Sequence, residues 1–505
     1  MTERFIPAAQ EVASGYLARR ALRRFAGGWS LWALGVGIVI PGEFSGWNYG
    51  LITGGFGGLL VATLVIVVMY LCLCFSLAEM SAAMPFAGGG YGFARCALGP
   101  FGGYLAGLAQ NIEFILTAAA VVVSVGEAAN HVLSHLFDVA LPEPLLWAAA
   151  YLVFTFINVY GIELTCRIAL VLAALALGVL ALFSISALPH FDLRLALDVP
   201  VGAHGSPWLP NGMAGIAWSL PFAIWFLVAI EMLTLSSEEA VQPERNVPRG
   251  LIYGILTLIV ATLLVLFLNS AIPPGAKAVG DAAEPLLLAF GALLGGRFSA
   301  VILGLCAFLG YVAGFHATIF GYGRSIYAQA RAGYLPTSLS LTHPTRQTPH
   351  FALIAGGVLG YGAVLVVKLV PHDLHVDAIL INMAVFAAIV SYVIQMLSFL
   401  VLRRNLPGMA RPFVSPLGAT GAMTALVVSL AAGTLMLLNR SYEIGVLGCV
   451  VVFILGIVYY IVHGRRCIVA APEERFALAH AQTMSTVPGR PALAPPDEGV
   501  FPHVA

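Results

Sequence analysis

Three glutamates sit inside long apolar runs, and their type and placement make them the first candidates for chemistry. Glu43 follows GVGIVIPG, Glu113 lies in QNIEFILT, and Glu231 lies in WSLPFAIWFLVAIEMLTLSSEEA. A carboxylate inside a membrane segment costs roughly 2.5–3.5 kcal/mol on insertion scales, so such residues mark functional pathways. Three of them on three segments argue for a cavity that receives a cation. Gln110 and Thr117 fall one helical turn on either side of Glu113, on the same face. The plainer alternatives are that Glu43 snorkels to the outer surface near Trp47 and that Glu113 is a hydrogen-bonded structural carboxyl. Glu79 and Glu163 end two other runs and read as interfacial or gate-related, with solvated ends.

Other chemistries find less support. His131, His135, His190, His204, His372 and His375 fall toward loops, and His316 stands by itself in an apolar run. His131 and His135 have the i, i+4 spacing of a metal pair but no third ligand in view, so no metal is expected. No nucleophile and base cluster on the runs as a membrane-embedded enzyme would require. The seven cysteines have neither zinc-site nor disulfide-framework spacing. GFGG at 55–58 and AGGG at 87–90 lack the GK[ST] of a nucleotide-hydrolysing loop, so ATP-driven pumping and bound cofactors are not expected. A net charge of zero offers nothing to nucleic acid.

These residues need a membrane frame to position them. The 505-residue chain is 60% hydrophobic and 10% charged, far from the roughly 25% charged residues of soluble domains. Its mean hydropathy is +0.93. Runs near 20 residues, enough to cross about 30 Å of hydrocarbon, predict twelve spans. They fall at 29–50, 57–83, 101–130, 145–161, 165–188, 212–236, 250–272, 293–322, 350–370, 376–402, 414–437 and 443–463. With both termini inside, 19 of the 24 basic residues lie on the cytoplasmic side, leaving Arg194, Lys277, Arg297, Lys368 and Arg440 outside. Residues 1–28 then form a cytoplasmic tail with no short apolar stretch of the cleaved-signal type. Residues 29–463 form one membrane domain. The Pro-rich remainder, 464–505, reads as a disordered cytosolic end.

Span one contains Gly35, Gly37, Pro41, Gly42 and Glu43 within nine residues. A membrane helix unwinds only where protein or a water-filled cavity surrounds it, although a glycine packing face with a proline kink is the simpler reading. Span six combines Pro221 with Glu231 five spans later. Interrupted helices in corresponding positions of two halves point to an inverted-repeat transporter with a midplane site.

Four segments carry a resemblance to a known family: GVGIVIPG at 35–42, MPFAGGGYGFARCALGPFGGYLAG at 84–107, EMLTLSSEEAVQPERNVPRG at 231–250, and GYGRSIYAQARAGYLP at 321–336 with Thr348-Pro349. Over about 30–465 the chain resembles the amino acid–polyamine–organocation permeases. Through GEFSGWNYGLITGGFGG and NIEFILT it looks most like the ethanolamine permeases. The resemblance implies an all-α, five-plus-five inverted-repeat fold of twelve transmembrane helices, with helices one and six broken. It implies substrate binding by the span-one backbone at Gly35, Val36 and Gly37, and an aromatic gate at Trp225 and Phe226. The family's span-six acid is retained as Glu231, whereas its glycine is replaced by Ala229.

The expected function is secondary import of a small amine, ethanolamine first, through a bacterial inner membrane by alternating access. Glu43, Gln110, Glu113 and Glu231 complete the expected binding set, with Glu43 and Glu113 as counter-charge and Glu231 coupling occupancy to span-six movement. A permease or exchanger for a zwitterionic amino acid or another small amine, on the same fold, is the alternative. Partners are then the small-molecule substrate, membrane lipid and a coupling proton. Span five has no lysine to carry that proton, so a carboxyl such as Glu113 or Glu231 would take its place; sodium coupling, exchange and facilitated diffusion stay open. A passive channel explains the broken helix less well, and a sensor would need a larger signalling domain.

Overall fold

The computed structural model describes residues 15–203, 205–294, 297–369, 376–469 and 471–476. Expectations for Arg4, His204, His372, His375, Arg490 and the Pro-rich stretch lie outside the described residues. Among those described, eleven helices are long and apolar enough to cross a membrane. They are spans two (Tyr49–Ala83), three (within Gly90–Phe137), four (Glu143–Tyr160), five (Ile162–Ala187), six (Gly212–Trp225 and Ile230–Glu239), seven (Pro243–Ser270), eight (Arg297–Arg331), nine (His350–Leu369), ten (Val376–Asn405), eleven (Gly418–Leu438) and twelve (Glu443–Val462).

Span one is the exception to that length, and its shortness is informative. Its helix covers only Gly28–Val39, about 18 Å at 1.5 Å per residue, too little to cross the hydrocarbon. A short turn at Pro41–Phe44 follows, then Ser45 in extended backbone and Gly46 at φ 89°. The fold is all-helical with twelve spans, as the sequence implies. Spans three, six, eight and ten are mostly enclosed by protein, whereas four and twelve present most of their surface outward. This follows from where the polar residues are: the enclosed spans carry the buried carboxyls, histidine and arginines that lipid would reject.

The breaks themselves fall at other residues than the sequence suggests. Gly35, Val36 and Gly37 stay inside a regular helix, where the Val36 carbonyl accepts the Ile40 N–H at 3.0 Å. Gly35 instead lets span one approach Leu233 and Ile230 of span six, and Gly37 faces Ala313 and Ala317 of span eight. The interruption begins at Ile40, because Pro41 has no N–H to continue the ladder. Asn48 then fastens the unwound chain: its Oδ1 accepts the Gly46 N–H, and its Nδ2 donates to the carbonyls of Val279, Gly280 and Ala282.

In span six the helix runs straight through Pro221 and stops after Trp225. Residues 226–229 form a turn before the narrower helix Ile230–Glu239 begins. Ala229 occupies the left-handed region at φ 72°, ψ 9°, a conformation that costs a residue with a Cβ about 1–2 kcal/mol. Ala229→Gly is therefore expected to raise the melting midpoint of the purified protein, by the equivalent of about 1 kcal/mol. An unchanged or lower midpoint would show that packing, not backbone conformation, sets this position.

The beginning of the C-terminal tail also departs from expectation. Residues 464–469 and 471–476 pack on the bundle, and Glu473 and Glu474 are fully buried. Glu79, expected to be solvated, is 2% exposed; it receives hydrogen bonds from Arg403 at 2.9 and 2.6 Å and pairs with Arg411 at 3.0 Å. Glu163 does stay at the surface, against Arg167.

Candidate functional site between the two helix breaks

The break in span six places Glu231 two residues beyond the turn at 226–229, facing spans three and ten. There Glu231 meets Glu113. The two carboxyl groups are within hydrogen-bonding reach of one another, and both side chains are fully buried. Between them stands Tyr392 of span ten, whose hydroxyl lies 3.4 Å from Glu113 Oε1 and 3.2 Å from Glu231 Oε2. The same hydroxyl lies 3.0 Å from that of Tyr70 in span two and accepts the Ala229 N–H at 3.4 Å. Tyr70 in turn donates to the Ile224 carbonyl at 3.4 Å, on the near side of the break. One constellation thus joins spans two, three, six and ten.

Hydrogen-bond counting shows what this constellation lacks. A tyrosine hydroxyl has a single proton to donate, so Tyr392 can serve only one of the two carboxyls at a time. Glu113 Oε2 and Glu231 Oε1 have no donor among the described residues. Two carboxylates at hydrogen-bonding distance repel unless a proton lies between them. A proton is one way to satisfy the pair. An ammonium group, with several N–H donors and a positive charge, is the other.

An aromatic layer joins the span-one break to the span-six break. Trp47 stacks on Phe226 with centroids 5.1 Å apart, Trp225 Nε1 donates to the Ser45 carbonyl at 3.0 Å, and Phe44 packs edge-on to Tyr311. Gly46 is required here, because a Cβ on it would lie 2.5 Å from Trp225 Nε1 as well as straining its positive φ. On the face that carries both chain ends, a second closure forms. Arg324 of span eight holds Glu239 through two hydrogen bonds of 3.0 and 2.9 Å with both side chains fully buried. The Glu239 carbonyl also accepts the N–H groups of Phe25 and Ala26, at 2.8 and 2.9 Å. Neither carboxyl of the acidic pair reaches solvent.

The remaining sequence candidates are distributed around this centre rather than gathered in it. Glu43 is buried but belongs to a different contact, accepting from Thr262 of span seven at 2.6 Å; it neither snorkels outward nor enters the Glu113–Glu231 hydrogen-bond set. Gln110 accepts the Tyr91 N–H at 2.9 Å and so braces the turn before span three. His316 links spans four and five through the Thr165 carbonyl at 3.1 Å and Asn158 at 3.3 Å. His135 turns its Nδ1 to the His131 carbonyl at 2.8 Å. Sequence reasoning missed Tyr70 and Tyr392. The available signal was a hydroxyl-bearing residue inside each of the apolar runs VIVVMY and VSYVIQ.

A twelve-span bundle, interrupted at its first and sixth spans beside a buried acidic pair, has the architecture of a secondary transporter. The comparison with known proteins narrows the class: the amino acid permease family model matches residues 27–462, and the chain belongs to that family. It is 30% identical to an uncharacterized transporter of Rhizobium meliloti over 66% of this chain and 71% of that protein. It is 24% identical to the branched-chain amino acid permease of Bacillus subtilis, over 90% of this chain and 96% of the relative. To the methylthioribose transporter of the same organism it is 24% identical, over 80% and 87% of the two chains. It is an integral membrane transporter, not an enzyme.

Proposed function

We propose that this permease imports a small amine, with ethanolamine the foremost candidate, across a bacterial inner membrane with both termini in the cytoplasm. The observation that carries the proposal is the Glu113–Glu231 pair bridged by Tyr392, with two buried carboxyl oxygens that have no donor among the described residues. An ammonium group bound there replaces the shared proton, which makes the amine and a proton competitors for one site. Substrate binding and proton transfer are then coupled without a lysine. Among the described residues, Arg324, on the side of the chain ends, is already committed to Glu239, and the lysines Lys277 and Lys368 lie beyond the spans or at their ends. A substrate with a carboxylate therefore gains less from this centre than an amino alcohol. The side of the membrane follows from the arginine distribution.

The role of span one in this reading is to close over the substrate. Gly35, Val36 and Gly37 set its approach to spans six and eight, and Trp225 and Phe226 form the lid with Trp47. Glu43, tied to Thr262, is a second acidic group beside the same break and serves the substrate's path rather than its ammonium.

A zwitterionic amino acid is the second reading, favoured by the name of the Bacillus subtilis relative that aligns over 90% of this chain. It would use the same pair for its α-ammonium. Uptake of radiolabelled ethanolamine into proteoliposomes, with an imposed pH gradient and unlabelled amino acids as competitors, separates the two. Saturable uptake blocked by ethanolamine and not by amino acids is the expected result. Uptake of an amino acid without uptake of ethanolamine would transfer the site to the second reading.

A further inference from the structure

Each of the three spans that supply the acidic pair and Tyr392 carries a second polar residue three positions further along. In span three Gln110 precedes Glu113, in span six Thr234 follows Glu231, and in span ten Gln395 follows Tyr392. Three positions along a helix keep both residues on one side of it, about one turn apart. All three of these side chains converge on the glycine turn that opens the helix of span three. A Cβ on Gly90 would lie 2.7 Å from Gln395 Cδ and 3.1 Å from Gln110 Nε2. One on Gly89, itself at φ 49°, would lie 2.5 Å from Thr234 Oγ1. The two glutamine side chains are fully buried, and each has one end held and one end open. Gln110 Oε1 accepts the Tyr91 N–H at 2.9 Å, which leaves its Nε2 a donor with no acceptor among the described residues. Gln395 Nε2 donates to Ser391 Oγ at 2.7 Å, which leaves its Oε1 an acceptor with no donor among them.

We propose that Gln110 and Gln395 form a hydroxyl subsite one turn from the acidic pair, which selects a small amino alcohol over an alkylamine and over an amino acid. The inference rests on the reading of Glu113–Glu231 as the ammonium site. Buried polar groups are ordinarily paired, and an open N–H beside an open carbonyl asks for one group that both accepts and donates. A hydroxyl does both, whereas an ammonium only donates and a carboxylate only accepts. With its ammonium on the acidic pair, an amino alcohol can direct a hydroxyl two carbons away along spans three and ten, to the open amides. An alkylamine of the same length leaves both amides unpaired. An amino acid brings a carboxylate, which has no proton for Gln395 Oε1. Sites that hydrogen-bond a substrate hydroxyl reject the analogue lacking it far more strongly than apolar pockets reject a missing methylene. Thr234 acts here as a positioning residue: its hydroxyl donates to the Glu231 carbonyl at 2.8 Å and abuts Gly89, which seats the glycine turn against span six.

The test compares uptake of radiolabelled ethanolamine and ethylamine into proteoliposomes of the full-length protein, with binding of each amine read from the shift in melting midpoint. The parent is expected to take up ethanolamine at least about tenfold more efficiently than ethylamine. Gln395→Met, which keeps the length of the side chain and removes its amide, is expected to bring the two amines to near equality, chiefly by raising the KM for ethanolamine. Gln110→Glu keeps the acceptor for the Tyr91 N–H and removes the open donor; it carries the same expectation and stands in if Gln395→Met fails to fold. Equal uptake of the two amines by the parent overturns the hydroxyl subsite, leaves the ammonium site standing, and assigns the open amides to a bridging water. A discriminating parent whose folded variants discriminate equally also overturns it, because the hydroxyl is then read elsewhere. Neither uptake nor a melting shift with either amine overturns the amine reading itself, and the subsite with it, so the two failures stay distinct.

Discussion

Glu113→Gln and Glu231→Gln are each expected to cut the transport efficiency for the amine substrate by a factor of roughly 30 to 150. That corresponds to about 2–3 kcal/mol for losing a charge-assisted hydrogen bond to the ammonium. The two variants should share a second property. With one member of the pair permanently neutral, the remaining carboxyl no longer exchanges a shared proton, so uptake should lose most of its dependence on an imposed pH gradient. Tyr392 stays in place in both, 3.4 Å from residue 113 and 3.2 Å from residue 231, so the packing around the site is largely preserved. The measurement is initial uptake in proteoliposomes across a range of pH. Parent-like efficiency with a parent-like pH response in Glu113→Gln would remove Glu113 from the site and return it to a structural role.

The second large effect concerns folding. Arg324→Met should strand the Glu239 carboxylate at a position with no solvent access, because that pair is fully buried on both sides and the Arg324 guanidinium also lies 3.8 Å above the Phe320 ring. Removing one partner of such a pair costs about 3–5 kcal/mol, a large share of the 5–15 kcal/mol by which most domains are stable. The expected outcome is a severe loss of monodisperse protein after extraction and a clearly lower melting midpoint. Arg324→Met combined with Glu239→Met should recover most of both, since no charge is then left unpaired. A single variant that melts with the parent would show that Glu239 has found another partner, and the pair would lose its role as the closure on the face of the chain ends.

These two sites differ in how far the chain alone reveals them. Glu113 and Glu231 stand out in sequence because an acid within an apolar run is expensive, and that expense can be read without coordinates. The twelve spans follow from the apolar runs on the same footing. The interruption of spans one and six was legible from their glycines, prolines and acids, but its position was not. Helix breaking depends on which carbonyls lose their donors and on what packs beside them. That placed the break after Ile40 rather than at Gly35–Gly37, and at residues 226–229 rather than at Pro221.

What only the tertiary structure decided is which acids share a site. Glu113 and Glu231 are 118 positions apart and meet, whereas Glu43, beside the span-one break, turns to Thr262 instead. Tyr392 joins the pair from span ten, and Arg331 and Arg95 find Glu473 and Glu474 in a stretch that composition reads as tail. The physical reason is that desolvation cost is a local property, carried by each residue and its immediate neighbours in the chain. The partner that offsets the cost is chosen by packing across the bundle, and packing brings together residues whose separation in sequence carries no trace of the contact.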